Sequence, residues 1–267
     1  MPAHGAAVSM QPLRLAAAGT HAKLWFYPPG FRQAAHSHEQ AHVSIIIGGS
    51  IREVCGGRDE IGSGSQLRLR PYEITHQVEF GPDGALILAV EVEDVVTRTT
   101  ASRWIHRDLS VAQRVLLQWI LAEGASAETD VGDCIQDLIA DIETESLRGS
   151  SPVWLTQARE RLLDDPATVR IDTLARAAGV HRAHFARAFQ HWFRTSPSLL
   201  RRRAMLMRAI AAMASGERLA MAAHAGGFAD QSHLCRAMRS MMGTTPNHLM
   251  HRHSVQHPFN TRRLPPR

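Results

Sequence analysis

Residues 218–243, RLAMAAHAGGFADQSHLCRAMRSMMG, read as two short helices joined by a glycine turn. Leu219, Ala222 and Ala223 recur at helical spacing on the first. Gly226-Gly227-Phe228 supplies the turn, and Leu234, Met238 and Met241 form the buried face of the second. Gln231, Ser232, His233, Cys235, Arg236 and Arg239 are left facing outward. Gly243 suits a left-handed cap that ends the helix. Thr244-Thr245-Pro246-Asn247 then restarts the chain, with proline near the start of a last short helix.

The same grammar occurs earlier, in residues 171–193, IDTLARAAGVHRAHFARAFQHWF. Asp172 is a candidate N-cap for a helix carrying Leu174, Ala175 and Ala178. Gly179 allows a turn at positive φ, and Val180 plugs the angle between the helices. Phe185, Phe189 and Phe193, at i, i+4 and i+8, face inward. Arg182, Ala183, Ala186, Arg187 and Gln190 form the outer face. Between the two units, residues 198–215, SLLRRRAMLMRAIAAMAS, make one long helix that fixes their separation. Leu199, Leu206, Ile210 and Met213 are its expected core stripe, with Arg201, Arg202 and Arg208 outside. A helix, a glycine turn and a second helix with a basic outer face is how a recognition helix is offered to a major groove.

Charge supports that reading. Residues 1–150 carry 12 Lys+Arg against 19 Asp+Glu, a net of −7, whereas residues 151–267 carry 18 against 6, a net of +12. All 18 cations of the second half are arginine. A basic half joined to an acidic one predicts a polyanion-binding module fused to something else. The rest of the composition narrows the class. Among 267 residues, 44% are apolar and 21% charged, a globular balance. No run approaches 18 apolar residues, and MPAHGAAVSM has no basic start followed by an apolar stretch. Cys55, Cys134 and Cys235 are odd in number and far apart, as expected of thiols in a reducing compartment. A cytoplasmic chain without membrane contact is the expectation.

The first half is built differently. AKLWFY, AHVSIII, SIREV, QLRL, HQVEF and ALILAVEVE, between residues 22 and 93, are short β-branched or aromatic runs. Gly48-Gly49, Gly56-Gly57, Gly62, Gly64 and Gly81-Pro82-Asp83-Gly84 punctuate them, which predicts an all-β barrel or sandwich. His36 and His38, two residues apart on a strand, point the same way. His42 and His76 are candidates to join them, giving four imidazoles about one point, a donor set suited to a first-row transition metal ion. His36, His38 and His76 are equally candidates for polar groups of an effector pocket. The period turns helical from about residue 102. Leu109, Leu116, Trp119 and Ile120 mark one helix, and Val131, Ile135, Leu138, Ile139 and Ile142 mark a stripe that serves either its own monomer or a homodimer seam.

Residues 155–252 resemble the DNA-binding domain of AraC/XylS-type transcriptional regulators. The likeness is carried by LARAAGVHRAHFARAF and by GGFADQSHLCRAM with the following GTTP. His181 and Ala229 stand where that family usually has capping residues. Ala222, Leu234 and Met238 replace a usual isoleucine and usual aromatics. The resemblance implies that both recognition helices enter successive major-groove segments on one face of the duplex. It places Arg182, Ala183, Ala186 and Arg187, then Gln231, Ser232, His233 and Arg236, at reading positions. The chemistry agrees in part: arginine bridges guanine O6 and N7, glutamine pairs with adenine, and alanine offers only a methyl contact.

The stretch from Gly30 through His36, His38 and His42 to Gly49 resembles the first cupin motif, with His42 in the place of the usual glutamate. Pro71-Tyr72-Glu73-Ile74-Thr75-His76 resembles the second, with Glu73 where glycine is usual. The expected architecture is therefore α+β and multidomain. A cupin-like sensor barrel spans 20–96, a helical connector 101–150, an all-α domain with two helix-turn-helix units 152–253, and a disordered tail 254–267. The expected function is a sequence-specific transcriptional regulator, activator or repressor, whose barrel senses a small molecule or metal. Its expected partners are double-stranded DNA, RNA polymerase and a small-molecule effector. The alternative, a metal-dependent cupin enzyme of dioxygenase or isomerase type, leaves the arginine faces without a role.

Overall fold

The computed structural model describes residues 21–92, 103–107, 116, 137–138 and 151–250, with short strand segments at 8–9, 14–15, 254–255 and 261–263. The first half is an antiparallel sheet. Its strands are β1 His21–Tyr27, β2 Arg32–His38, β3 Ala41–Cys55, β4 Arg58–Ser63, β5 Gln66–Arg70, β6 His76–Val92 and β7 Ile105–His106. The path runs β1-β6-β3-β5-β7, with β2 on β6 and β4 on β3.

Two of the glycine stretches that separate short runs in the sequence are instead bends within long strands. AHVSIII and SIREV are both parts of β3, and HQVEF and ALILAVEV are both parts of β6. These two strands pair from Ala41↔Val92 to Cys55↔His76, with register shifts on either side of Gly48-Gly49. Gly49 and Gly84 have φ of +81° and +70°, and a Cβ on Gly49 would lie 2.7 Å from the Ala85 Cα. Only glycine lets the two strands approach and bend at the same level. The sheet thereby folds over into the barrel expected of this half.

Alternation sets the two faces of β3. Val43, Ile45 and Ile47 belong to one buried cluster with Leu24, Leu67, Leu69, Leu86 and Leu88. Ile46 and Ile51 belong to a second, with Trp25, Tyr27, Phe80 and Ile87. His42 and Ser44 share the parity of Ile46 and line a cavity on that second side. Glu73 has φ of +59°, which accounts for the glycine usual at its place; its N–H donates to the His38 carbonyl at 2.8 Å.

The second half has seven helices among the described residues: α1 Val153–Asp164, α2 Ile171–Ala177, α3 Arg182–Phe193, α4 Pro197–Ala214, α5 Leu219–Ala225, α6 Gln231–Met242 and α7 Pro246–Met250. Phe185, Phe189 and Phe193 are buried with Leu155, Leu162 and Leu174 in their own cluster, as their spacing predicts. Asp172 is not the cap of α2. Arg170 occupies that position, and Asp172 lies in the first turn, where its charge meets the positive end of the helix. His181 does cap α3: its Nδ1 accepts from the Ala183 N–H at 3.2 Å. Asp230 caps α6 through the His233 N–H at 2.7 Å. Gly179, Gly227 and Gly243 have φ of +68°, +78° and +70°.

Helix α4 departs from the expected single stripe. Leu199 is only partly buried, whereas Leu200, Arg203, Ala204, Met205, Leu206, Met207, Ala209, Ile210 and Met213 are buried. The reason is that α4 is covered on two sides, by the helices and by the barrel. Its methionines and Ile210 share one continuous apolar cluster with Val43, Ile45, Leu86, Ala223, Phe228 and Leu234. The Met207 side chain occupies the space in front of Gly48. Arg203 donates to the Ser65 hydroxyl, Arg159 of α1 to the Ser63 hydroxyl, and Arg208 pairs with Asp83 at 3.2 Å.

The connector expected over 101–150, with its stripe Val131–Ile142, lies outside the described residues except for 103–107, Leu116 and Asp137–Leu138. Leu116 and Leu138 are helical and buried in the first cluster. The tail, expected to be disordered, departs from that expectation at two segments. Ser254–Val255 pairs with Val8–Ser9, and Thr261–Arg263 pairs with β2. The open backbone groups of an edge strand such as β2 favour this pairing.

Gly226 sits against α4, where a Cβ would lie 2.7 Å from the Met205 carbonyl oxygen. Because that neighbour is backbone, Gly226→Ala is expected to lower unfolding free energy by about 1–3 kcal/mol, read by urea denaturation. An unchanged midpoint would show that the turn and α4 are not in this contact.

Candidate functional site

Two groups of residues carry chemistry. The first is the outer surface of the paired helices. On α3, Arg182, Ala183, Arg187 and Gln190 are exposed and Ala186 is half-buried. On α6, Gln231, Ser232, His233 and Arg236 are exposed. Both sets project from helices whose opposite faces are locked by buried Phe185 and Phe189, or by Leu234 and Met238. Arg182 has a carboxylate neighbour, Asp172 at 3.1 Å. Such an exposed pair contributes at most about 1 kcal/mol. The His233 ring meets Phe228 edge-on, with centroids 5.2 Å apart, which orients it at the start of α6. Arg202, which the sequence places outside α4, is exposed there and lines a cleft between the units with His224 and His233.

The second group is the histidine cluster in the barrel. His36 and His38 alternate onto one side of β2, and register sets His76 of β6 opposite His36. These three are buried, and each offers a nitrogen within 4.8 Å of the others. Ring centroids are 4.2 Å apart for His36–His76 and 5.1 Å for His38–His76. Among the described residues no other histidine, cysteine or acid joins the group. The His36 Nδ1–H donates to the Ala34 carbonyl at 2.7 Å, and the His76 Nδ1–H to the Ile74 carbonyl at 3.2 Å. Those bonds fix the tautomer and leave Nε2 of both rings as a lone-pair donor, the arrangement found behind metal-ligating imidazoles.

The four-imidazole expectation is corrected at His42. Its ring is 4.4 Å from that of His38, yet its Nε2 accepts a hydrogen bond from Arg70 Nη1 at 2.5 Å. A nitrogen whose lone pair is engaged by a guanidinium is not available to a metal. Cys55 is buried opposite His76 and lies outside the ligand group.

Arg70 belongs to a buried ionic network. Glu53, fully buried, accepts from Arg68 Nη1 at 2.9 Å and from Arg70 Nη2. Glu60 approaches Arg68 at 3.5 Å from the partly exposed side. The sequence carries a signal for this network: QLRLR puts Arg68 and Arg70 at alternate positions between leucines.

Burial first, and the Arg70 charge second, hold the imidazoles of His38, His42 and His76 well below their ordinary range, that of His38 down to about 3. His36 is lowered as well, chiefly by burial. All four are neutral near pH 7, the state a metal requires. His106, which belongs to neither cupin-like motif, is buried against the Phe193 ring and depressed to about 3 by burial and by Arg159.

Fold and exposed faces together define a pair of helix-turn-helix units preceded by an antiparallel β domain. Residues 174–252 match the family described as a helix-turn-helix domain. Among solved structures, ToxT from Vibrio cholerae is 12% identical, covering 86% of this chain and 97% of that one at a TM-score of 0.34. A cupin superfamily protein from Desulfitobacterium hafniense is 11% identical over 35% of this chain and 84% of its own, at 0.30. KdgF from a Halomonas species is 16% identical over 32% and 82%, at 0.28. No curated protein matches the chain. No helix among the described residues is long and apolar enough to cross a membrane.

The depressed imidazoles make stability depend on pH. Each is neutral when folded and titrates near 6.5 when unfolded, so the unfolded chain takes up protons first as pH falls. Their contribution is complete above pH 6.5 and is lost between there and about 3. Unfolding free energy is expected to fall from pH 7 to 5. His38→Gln should flatten that slope by up to about 1.4 kcal/mol per pH unit, the value of one proton. A slope unaltered by the substitution would contradict a neutral, buried His38.

Proposed function

We propose that this chain is a transcriptional regulator that reads double-stranded DNA with α3 and α6 and tunes that reading through a small effector and a metal in the barrel. The observation that carries the proposal is the pair of exposed, arginine-bearing helices on either side of α4, whose other surface is bonded to the barrel. Arg187 and Arg236 are assigned to base or phosphate contacts, and Gln231 to an adenine edge. Ala183 and Ala186 contribute only methyl contacts, so the second unit reads more hydrogen bonds than the first.

His36, His38 and His76 would hold the metal, and the fixed tautomers of His36 and His76 and the neutral state of all three fit that task. A bound ion supplies open coordination positions for an effector. The protein's own part is mechanical. Ser44 and His42 on the cavity wall share β3 with Gly48, on which Met207 of α4 rests. An effector that favours one setting of β3 therefore biases the seat of α4, and with it the presentation of both reading helices. RNA polymerase contact, a cytoplasmic location, non-enzymatic action, a dimer seam over Val131–Ile142 and domain limits of 20–96, 101–150 and 152–253 complete the proposal.

Arg236→Ala is expected to cost about 1–3 kcal/mol of specific binding and to relax preference at one base pair, read by anisotropy against a panel of operator variants. An equal loss on every sequence would reduce Arg236 to a phosphate contact. Genomic fragments enriched on the purified chain should differ in yield with and without EDTA. Equal yield would remove the metal from the regulatory path, and absence of enrichment would contradict DNA reading itself.

A further inference from the structure

The cavity beside the histidines has an unbalanced wall. It is lined by Tyr27, Gln33, Ser44, Arg70 and the four imidazoles, together with apolar Ile51, Val78, Phe80, Ile87 and Ala89. No carboxylate is among its lining residues. The single charge there is Arg70, whose side chain is 5% exposed. Its compensation is indirect: Glu53 is shared between Arg70 and Arg68, and the second carboxylate of the network, Glu60, approaches Arg68 at 3.5 Å on the side away from the cavity lining. Two of its nitrogens are engaged, Nη2 by Glu53 and Nη1 by His42, whereas the buried Nε has no hydrogen-bond partner among the described residues. A buried guanidinium with an unused donor is costly unless something accepts from it.

The donor set sharpens the imbalance. Three neutral imidazoles bring no charge to a divalent ion, so an occupied site sets two further positive charges in the same low-dielectric cavity. The guanidinium's planar fork matches a carboxylate. Tyr27 and Phe80, stacked at 4.0 Å, supply an apolar wall for the hydrocarbon part of such a ligand. Size limits that part: the cavity holds about 40 Å³, where one water needs about 10–15 Å³.

We propose that the effector is a short-chain carboxylate, with its anionic end held between Arg70 and the metal position at His36, His38 and His76 and its short apolar end against Tyr27 and Phe80. This rests on the metal-and-effector reading above and adds the class of ligand. Arg70 takes the place of a protein carboxylate at the site: the chain supplies the cation, and the ligand brings the anion.

The test uses the full chain, stripped of metal and loaded with Co²⁺, with the d–d absorption as readout and acetate as probe. Acetate is expected to shift the spectrum saturably, acetamide at equal concentration to do nothing, and chloride and phosphate to bind at least tenfold more weakly than acetate. Arg70→Gln should bind Co²⁺ one to one yet lose at least tenfold in acetate affinity, with Arg70→Lys intermediate. Equal responses to acetate and acetamide in the unaltered chain, or inorganic anions as tight as acetate, would overturn the proposal even if the Arg70 variants do not fold. Undiminished affinity in a folded Arg70→Gln chain would do so too. If the chain binds no Co²⁺, the metal reading fails separately, and calorimetry of acetate on the metal-free chain decides: saturable binding lost in Arg70→Gln sustains the carboxylate site, and no heat ends it.

Discussion

Helix α4 is the part on which everything else rests. Its methionines and Ile210 join the apolar core of the second helix-turn-helix unit, Leu200 enters the core of the first, and Met207 fills the space left by Gly48 in the barrel. A helix packed on opposite sides has little freedom to slide relative to either, because close-packed interiors transmit displacement rather than absorb it. That constraint holds the two helix-turn-helix units at one spacing and ties their common helix to the barrel. Arg203 to Ser65 and Arg208 to Asp83 add polar ties at the same seam.

Much of this is legible in the sequence, for reasons that individual residues make plain. Phe185, Phe189 and Phe193 can face only one way at four-residue intervals, and Gly179 and Gly243 occupy the positive φ that their turns require. The outer faces of α3 and α6 emerge by subtraction. Less legible are features that depend on two strands meeting. Gly48-Gly49 and Gly81–Gly84 look like hairpin turns in one dimension, yet with strands pairing on both sides of them they are bends in β3 and β6. Arg203 looks like one more surface arginine in an arginine-rich helix, because nothing local announces that a barrel covers it.

The histidine cluster shows the same limit at closer range. Spacing brings His36, His38 and His76 together correctly, since alternation and the cupin-like motifs both act along single strands. His42 is misread from the sequence because its partner, Arg70, lies 28 residues away on a neighbouring strand. Once Arg70 is seen, the site's character changes. A pocket that looks like four equivalent imidazoles becomes three lone-pair donors facing a partly compensated cation, which selects for negative charge in whatever completes it.

The claim most exposed to refutation is that α3 and α6 lie along one side of a duplex. Methylation interference on an operator selected by the purified chain tests it directly. The account predicts two sets of interfering guanine N7 positions in adjacent major grooves, on the same face and roughly 10 base pairs apart, one helical turn. Interference confined to a single groove, or two sets on opposite faces of the helix, would contradict it.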